Sequence, residues 1–328
     1  MFLFFSSLLY AQSYTLHKVN TNSTASFRGL SVVDNNVAWV SGSLGQVGRT
    51  TDGGKSWTFN TVEGFEKSEF RSLYAFDSER AIIANAGSPG YILLTTNGGK
   101  NWKTIRIFTH KDTFFDGIDF WNDREGILYG DPVEGKMFLL RTSDGGLTWK
   151  EVSNPPMLET GEASFAASGT GIRCTNEKLV TICTGGTVSR LWISQDKGDH
   201  WTAFPTPIIQ GKSTTGIFSF TQNENRLMIV GGDFKEENST RLHHFYSTDS
   251  GRHWLVPTAP ARGYRECIEA ITKNVLIAAG PSGVDISYDN GDQWNALSNE
   301  KELHTVRKAR KGSLVIAAGG NGKLFLIR

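Results

Sequence analysis

Apolar residues fall in short runs along the chain, separated by turn-forming residues. Val37-Ala38-Trp39-Val40, Ala81-Ile82-Ile83-Ala84, Leu179-Val180-Thr181-Ile182 and Val275-Leu276-Ile277-Ala278 have the length and composition of strands. No stretch sustains a helical period, so the pattern predicts an all-β protein. Between the runs an eight-residue box recurs. It reads TTDGGKSW at Thr50–Trp57, TTNGGKNW at Thr95–Trp102, TSDGGLTW at Thr142–Trp149, SQDKGDHW at Ser194–Trp201, STDSGRHW at Ser247–Trp254 and SYDNGDQW at Ser287–Trp294. The frame is Ser/Thr-x-Asp-x-Gly-x-x-Trp, with Asn97 the single replacement of the acid. A repeat at roughly 40–50 residues points to a propeller or a solenoid.

The box has the chemistry of a tight hairpin. Asp52, Asn97, Asp144, Asp196, Asp249 and Asp289 can accept nearby backbone N–H groups and so build the turn. The Gly supplies a positive-φ position that disfavours a Cβ. Trp57, Trp102, Trp149, Trp201, Trp254 and Trp294 then open the next strand and bury a ring between sheets, each N–H needing a partner. These are folding devices with no ligand of their own. They resemble the Asp-box, or bacterial neuraminidase repeat, and the resemblance covers nearly the whole chain. It implies a propeller with each box on an outer hairpin, away from the ligand face. The repeat occurs in sialidases, some glucanases, sorting receptors and non-enzymatic propellers, so it implies no one activity.

The units count to seven. They run from about Phe27, Phe70, Phe115, Gly161, Gly216, Tyr264 and Leu303, the fourth and fifth being longer, with Phe234–Thr240 an exposed loop. Tyr14–Val19 aligns with the strand that follows a box, and Lys323–Arg328 with the strand that precedes one. The expected fold is therefore an all-β, seven-bladed β-propeller whose last blade takes its fourth strand from the N-terminus. That closure removes exposed sheet edges. Residues 12–328 read as one domain, expected to be monomeric. Met1–Ala11 (MFLFFSSLLYA) has the apolar character of a signal-peptide core and is too short to span a bilayer, so the protein is expected to be exported to a periplasm or secreted.

Charge and motifs narrow the function. Lys+Arg number 34 against 33 Asp+Glu, without the basic excess usual in nucleic-acid binders. Cys174, Cys183 and Cys267 are an odd number; Cys174 and Cys183 could face each other across a hairpin, but buried thiols are the expected state. Gly54-Lys55-Ser56 lacks the first glycine of a phosphate loop, that place being Arg49, and HExxH, CxxC and GxSxG do not occur. His243 and His244 are adjacent in a strand and face opposite ways. Neither a cofactor nor a metal site is indicated.

The starts of the units offer a better site. Phe27-Arg28-Gly29-Leu30, Phe70-Arg71-Ser72-Leu73, Phe115-Asp116-Gly117-Ile118 and Tyr264-Arg265-Glu266-Cys267 align, which would gather Arg28, Arg71, Asp116 and Arg265 at one mouth of the central channel. Glu162 and His304 lie near the corresponding places in units four and seven. Arginine recognises carboxylates and other oxyanions through a planar fork. The same charges could instead pair across the ring and seal the channel.

The start of unit one, FRGLSVVDNNVAWVSGSLGQVGRTTDGGKSW, resembles the photosystem II assembly and stability factor family. That resemblance implies an exported, chaperone-like propeller that binds a membrane-protein precursor partly through arginines, for which Arg28, Arg71 and Arg265 are the matching positions. Gly161–Ser168 and Gly130-Asp131-Pro132 resemble bacterial relatives of unassigned function. The expected function is non-enzymatic binding of a protein or an anionic ligand at the mouth. The alternative is a glycoside hydrolase of sialidase or glucanase type, for which Asp116, Asp131 and Glu162 are the candidate carboxylates. No Arg-Ile-Pro segment marks a sialidase arginine, and glucanases with this box usually build their cleft from two propellers.

Overall fold

A computed structural model describes residues 13–328. The segment Met1–Ala11, expected to direct export, lies outside the described residues. The chain is a seven-bladed β-propeller, and no helix occurs among the described residues. The first strands of the blades line the channel: Phe27–Val32, Phe70–Ala75, Phe115–Phe120, Ile172–Thr175, Thr215–Asn223, Cys267–Ala270 and Leu303–Lys308. Each blade then continues outward by antiparallel hairpins.

The core is divided among the gaps between blades. Seven buried clusters each join neighbouring sheets, such as Trp39 and Val47 with Phe70 and Ile83, or Ile127 and Tyr129 with Ile172 and Val180. Strands buried on both faces explain why the second strands are runs of apolar residues rather than alternations.

The six boxes build one turn six times. In the first, Thr50 Oγ1 accepts Gly54 N–H at 2.9 Å and donates to Asp52 Oδ1 at 2.9 Å, and Asp52 Oδ1 accepts Ser56 N–H at 2.9 Å. Asn97 does the same work as the acids, accepting Asn101 N–H at 3.0 Å. Gly54 has φ 81°, the left-handed conformation that glycine adopts without strain. Trp149, Trp201 and Trp294 donate their ring N–H to the carbonyl of their own box glycine, at 3.2, 3.0 and 3.0 Å. Only Trp149 and Trp294 of the six are buried; the other four rings are half-buried.

The ring closes as the sequence predicts. Leu16–Lys18 pairs with Leu324–Ile327 in the last blade, with Thr15 and Arg328 exchanging backbone hydrogen bonds at 2.6 and 3.1 Å. Tyr14 is buried between blades six and seven.

One expectation changes. The fourth blade begins at Ile172, not near Gly161, because Glu162–Ala163 pairs with Gly185–Gly186 and extends the sheet of blade five inward. The thiols are free, as expected: Cys174 pairs with Val180 and Cys183 with Leu191 rather than with each other, and Cys183 and Cys267 are buried while Cys174 is half-buried.

Candidate functional site

One backbone irregularity defines the mouth opposite the boxes. The ladder between first and second strands skips a residue at Arg28, Arg71, Asp116, Phe218 and His304. Such a bulge turns its side chain out of the ladder, here toward the channel. Counting from Leu30↔Val40, the pairs Ile172↔Ile182 and Ile268↔Ala278 put Thr170 and Glu266 at the same level in blades four and six.

Arg28, Arg71 and His304 therefore reach the mouth as expected, and Arg265 does not. Blade six is offset by one residue from the sequence alignment, so Glu266 takes the arginine place and Arg265 takes the place of Phe27. The close approach at the end of the second strand fixes this. A Cβ on Gly42 would lie 2.0 Å from Ser26 O, and one on Gly280 would lie 2.7 Å from Tyr264 O. Gly280 thus answers to Gly42, and the residues that follow those carbonyls, Arg265 and Phe27, answer to each other. Arg265 is fully buried and its Nε donates to Asp285 at 2.8 Å. Aligning the units on these second-strand glycines, rather than on the aromatic residue, would have produced the right register.

Ser164–Gly171 crosses the channel beneath the mouth and plugs it. Arg28 donates to Ala167 O at 2.8 Å, Thr305 to Ser168 O at 3.0 Å and Arg307 to Gly169 O at 2.5 Å. Ser168 Oγ donates to Glu266 O at 2.8 Å. Buried carbonyls need donors, and side chains from blades one and seven supply them. Nothing in the amino-acid pattern signals this segment's role, since it has neither strand nor box periodicity.

Above the plug lies a cavity of about 550 Å³ lined by Arg28, Arg71, Asp131, His304 and an aromatic shelf. Phe165 stacks on Phe218 with centroids 3.8 Å apart, Tyr264 meets Phe218 edge-on at 4.7 Å, and Phe234 is 39% exposed beside them. A second cavity of about 730 Å³ shares Phe114, Asp131, Ala163 and Ser213 with the first. The arginines are paired: Arg28 with Glu266 at 3.0 Å, Arg71 with Glu69 at 2.8 Å. His304 also holds Glu266, at 2.7 Å. Burial raises the Glu266 pKa, but Arg28 and His304 outweigh it and hold the carboxyl below its usual range. With Glu237 and Glu302 also on the lining, the mouth is not an unbalanced cationic patch.

The three candidate carboxylates separate. Glu162 is 1% exposed and committed: it accepts Thr184 Oγ1 at 2.6 Å, Trp192 Nε1 at 3.2 Å, and both arms of the Arg190 guanidinium. Burial would raise its pKa; these donors outweigh that and lower it. It serves the insertion between blades four and five rather than the mouth. Asp131 accepts Ser164 N–H at 3.1 Å and lines the cavity. Asp116 is fully buried, and neither carboxyl oxygen has a partner. Burial pushes its pKa well up, the charge of Asp131 adds to the rise, and Arg71 opposes it.

Because the folded pKa of Asp116 is raised, its contribution is fully present below the unfolded value of about 3.9 and is lost as pH rises toward the folded value. Asp116→Asn, which carries no charge at any pH, should therefore melt higher than the parent at pH 7 and match it near pH 4. Melting curves across that range test this; a difference that does not change with pH would refute it.

The opposite mouth was not anticipated. There the first strands end in Arg173, Glu269, Asp119 and Arg307, with Arg310 close by, and they line a cavity of about 200 Å³. Arg173 pairs with Glu269 at 2.7 Å, and Arg310 lies over the Tyr74 ring at 4.4 Å. At this end Arg173 and Glu269 pair across the ring, from blade four to blade six. Among the described residues no cluster of three or more His, Cys, Asp and Glu could hold a metal ion, and no helix is long and apolar enough to cross a membrane.

Two families match parts of the chain. The one described as photosynthesis system II assembly factor YCF48 matches residues 9–111, and that described as sortilin, neurotensin receptor 3, matches residues 137–267. No curated protein sequence matches the chain. A solved structure, YCF48 bound to D1 peptide, superposes with a TM-score of 0.70 at 15% identity, covering 97% of each chain. The chain has the YCF48 fold. YCF48 from Cyanidioschyzon merolae gives a TM-score of 0.63 at 16% identity, covering 96% of this chain and 98% of that one. The GH74 enzyme of Niastella koreensis gives 0.64 at 14% identity, with 95% of this chain covering 53% of the enzyme. The chain thus resembles the photosystem II assembly factors over its whole length and GH74 enzymes over about half of theirs.

Proposed function

We propose that this propeller is a non-enzymatic, exported binding protein that takes an extended polypeptide segment across the mouth opposite the boxes, in the manner of an assembly factor. The observation that carries the reading is the cavity itself. It pairs an aromatic shelf, Phe165, Phe218, Phe234 and Tyr264, with arginines whose carboxylate partners stand beside them. Apolar side chains of a peptide would lie on the shelf. A carboxylate of the peptide would exchange with Glu69 for Arg71 or with Glu266 for Arg28. The paired charges favour a peptide of mixed character over a free anion. The solved complex of YCF48 with a D1 peptide supports a protein ligand for this fold.

Hydrolysis is the second reading, supported by the likeness to GH74 enzymes. It would need two carboxyl groups within reach of a substrate. Asp116 has no exposed surface and Glu162 is locked by Arg190, which favours binding over turnover.

Arg28→Ala/Arg71→Ala should weaken capture of peptides from a random-sequence array by a few kcal/mol, since a hydrogen bond to a charged group is worth about 1.5–3 kcal/mol. Added salt should weaken it as well. Undiminished binding by a folded double variant would refute the site. Release of reducing sugar from xyloglucan, abolished by Asp131→Asn, would instead establish the hydrolase. Fractionation of cells expressing the full chain tests export.

A further inference from the structure

The gap between blades four and five is unlike its neighbours. Aligned by pairing with the first strand, Trp39, Ile82, Ile127, Thr181 and Met228 hold the same place in blades one to five. The apolar ones reach the box glycine of the next blade. A Cβ on Gly99 would lie 3.0 Å from the Trp39 ring, on Gly146 2.1 Å from Ile82, on Gly198 3.3 Å from Ile127 and on Gly291 2.4 Å from Met228 Sδ. Gly251, the box glycine facing blade four, meets only Trp254 and Leu227 of its own blade. Threonine is too short to fill the space. A cleft of about 700 Å³ opens there instead, on the box side, with Arg173 and Thr175 common to it and to the cavity of the opposite mouth.

Its walls are chemically specific. Arg173, Thr181, Ile193 and Thr202 form one cross-strand row on the blade-four sheet, and Phe220 and Gln222 face them from blade five. The row brings the hydroxyls of Thr181 and Thr202 to the cleft. Phe204 and Phe220 supply flat apolar surface. The charge of Arg173 is already closed by Glu269 at 2.7 Å, and Asp196 at the rim holds His200 at 2.6 Å. Arg252, exposed at the rim, donates to Asp249 O at 3.5 Å, and the inner walls present hydroxyls, amides and aromatic rings. Its volume is that of a small-molecule site, usually about 300–1,000 Å³.

We infer that this cleft binds a neutral polyhydroxylated ring of the sugar class. The hydroxyls of such a ligand would meet the threonines and Gln222, and its apolar face would lie on Phe204 or Phe220. The inference does not depend on the peptide reading of the mouth.

The test uses the full chain labelled at Thr and Ile methyl groups, with maltose, cellobiose and lactose as probes in NMR titrations. At least one disaccharide should shift Thr181, Ile193 and Thr202 without shifting residues of the mouth. Thr181→Ile supplies the side chain that blades two and three use, so it should raise the melting temperature and abolish the shifts. Thr202→Val removes one hydroxyl from a half-exposed strand and should weaken binding about fivefold, the loss of one neutral hydrogen bond. No shifts with any of the three sugars, or shifts that persist in Thr181→Ile, would overturn the inference.

Discussion

Deleting residues 13–20 should lower stability by several kcal/mol and leave an open, aggregation-prone ring. The segment supplies the outer strand of blade seven: Leu16–Lys18 pairs with Leu324–Ile327, flanked by the Thr15–Arg328 exchange and by Val19 N–H to Leu324 O at 2.8 Å. Its loss strips that edge of its partner and exposes backbone that templates association. It also removes Tyr14, 8% exposed, from the cluster between blades six and seven; truncating a buried aromatic costs about 3–5 kcal/mol by itself. Tyr14→Ala should therefore reproduce a large part of the loss while keeping the ring closed. Denaturant unfolding measures the cost, and light scattering the association. An unchanged unfolding midpoint in the deletion would show that the strand does not close the ring.

Asp285→Ala should destabilise the fold by about 3–5 kcal/mol, the cost of leaving a buried charge without its partner. Arg265 and Asp285 are both fully buried, joined at 2.8 and 2.5 Å, and Arg262 Nε reaches the other carboxyl oxygen at 2.6 Å. Burial lowers the pKa of Arg265, and Asp285 opposes that shift. In other blades these two places are apolar, as Phe70 and Leu93 in blade two. Arg265→Phe/Asp285→Leu copies that arrangement and should recover most of the stability, because a well-packed apolar pair often equals a buried ion pair. If the double variant is as unstable as Asp285→Ala, the pair contributes more than packing. Peptide capture should survive in the folded double variant, since neither residue lines the mouth.

The repeat made the architecture legible. Six boxes with the same Ser/Thr, Asp, Gly and Trp encode the same turn wherever they occur, because every hydrogen bond in the turn is local to the box. Seven units, the strand order within a blade and the closing strand all followed from counting boxes. The buried second strands were legible for a related reason: a strand covered on both faces must be apolar throughout. Arg28 and Arg71 were legible because each follows the aromatic residue that opens its unit, and His304 because it lies near the corresponding place in unit seven.

What escaped the sequence depends on contacts between blades. A one-residue offset in blade six moved Arg265 from the mouth into the core, as the Ile268↔Ala278 pairing and the approach of Gly280 to the first strand reveal. Ser164–Gly171 has no periodic signal, because its carbonyls are satisfied by side chains from distant blades, 139 residues away for Arg28. Glu162 has the composition of a rim acid and became a buried partner of Arg190 only through the insertion at blade five. The sequence alone determined the turn, the repeat and the ring. The tertiary structure alone decided which charges face the channel, because that depends on register between strands and on which neighbour supplies the partner.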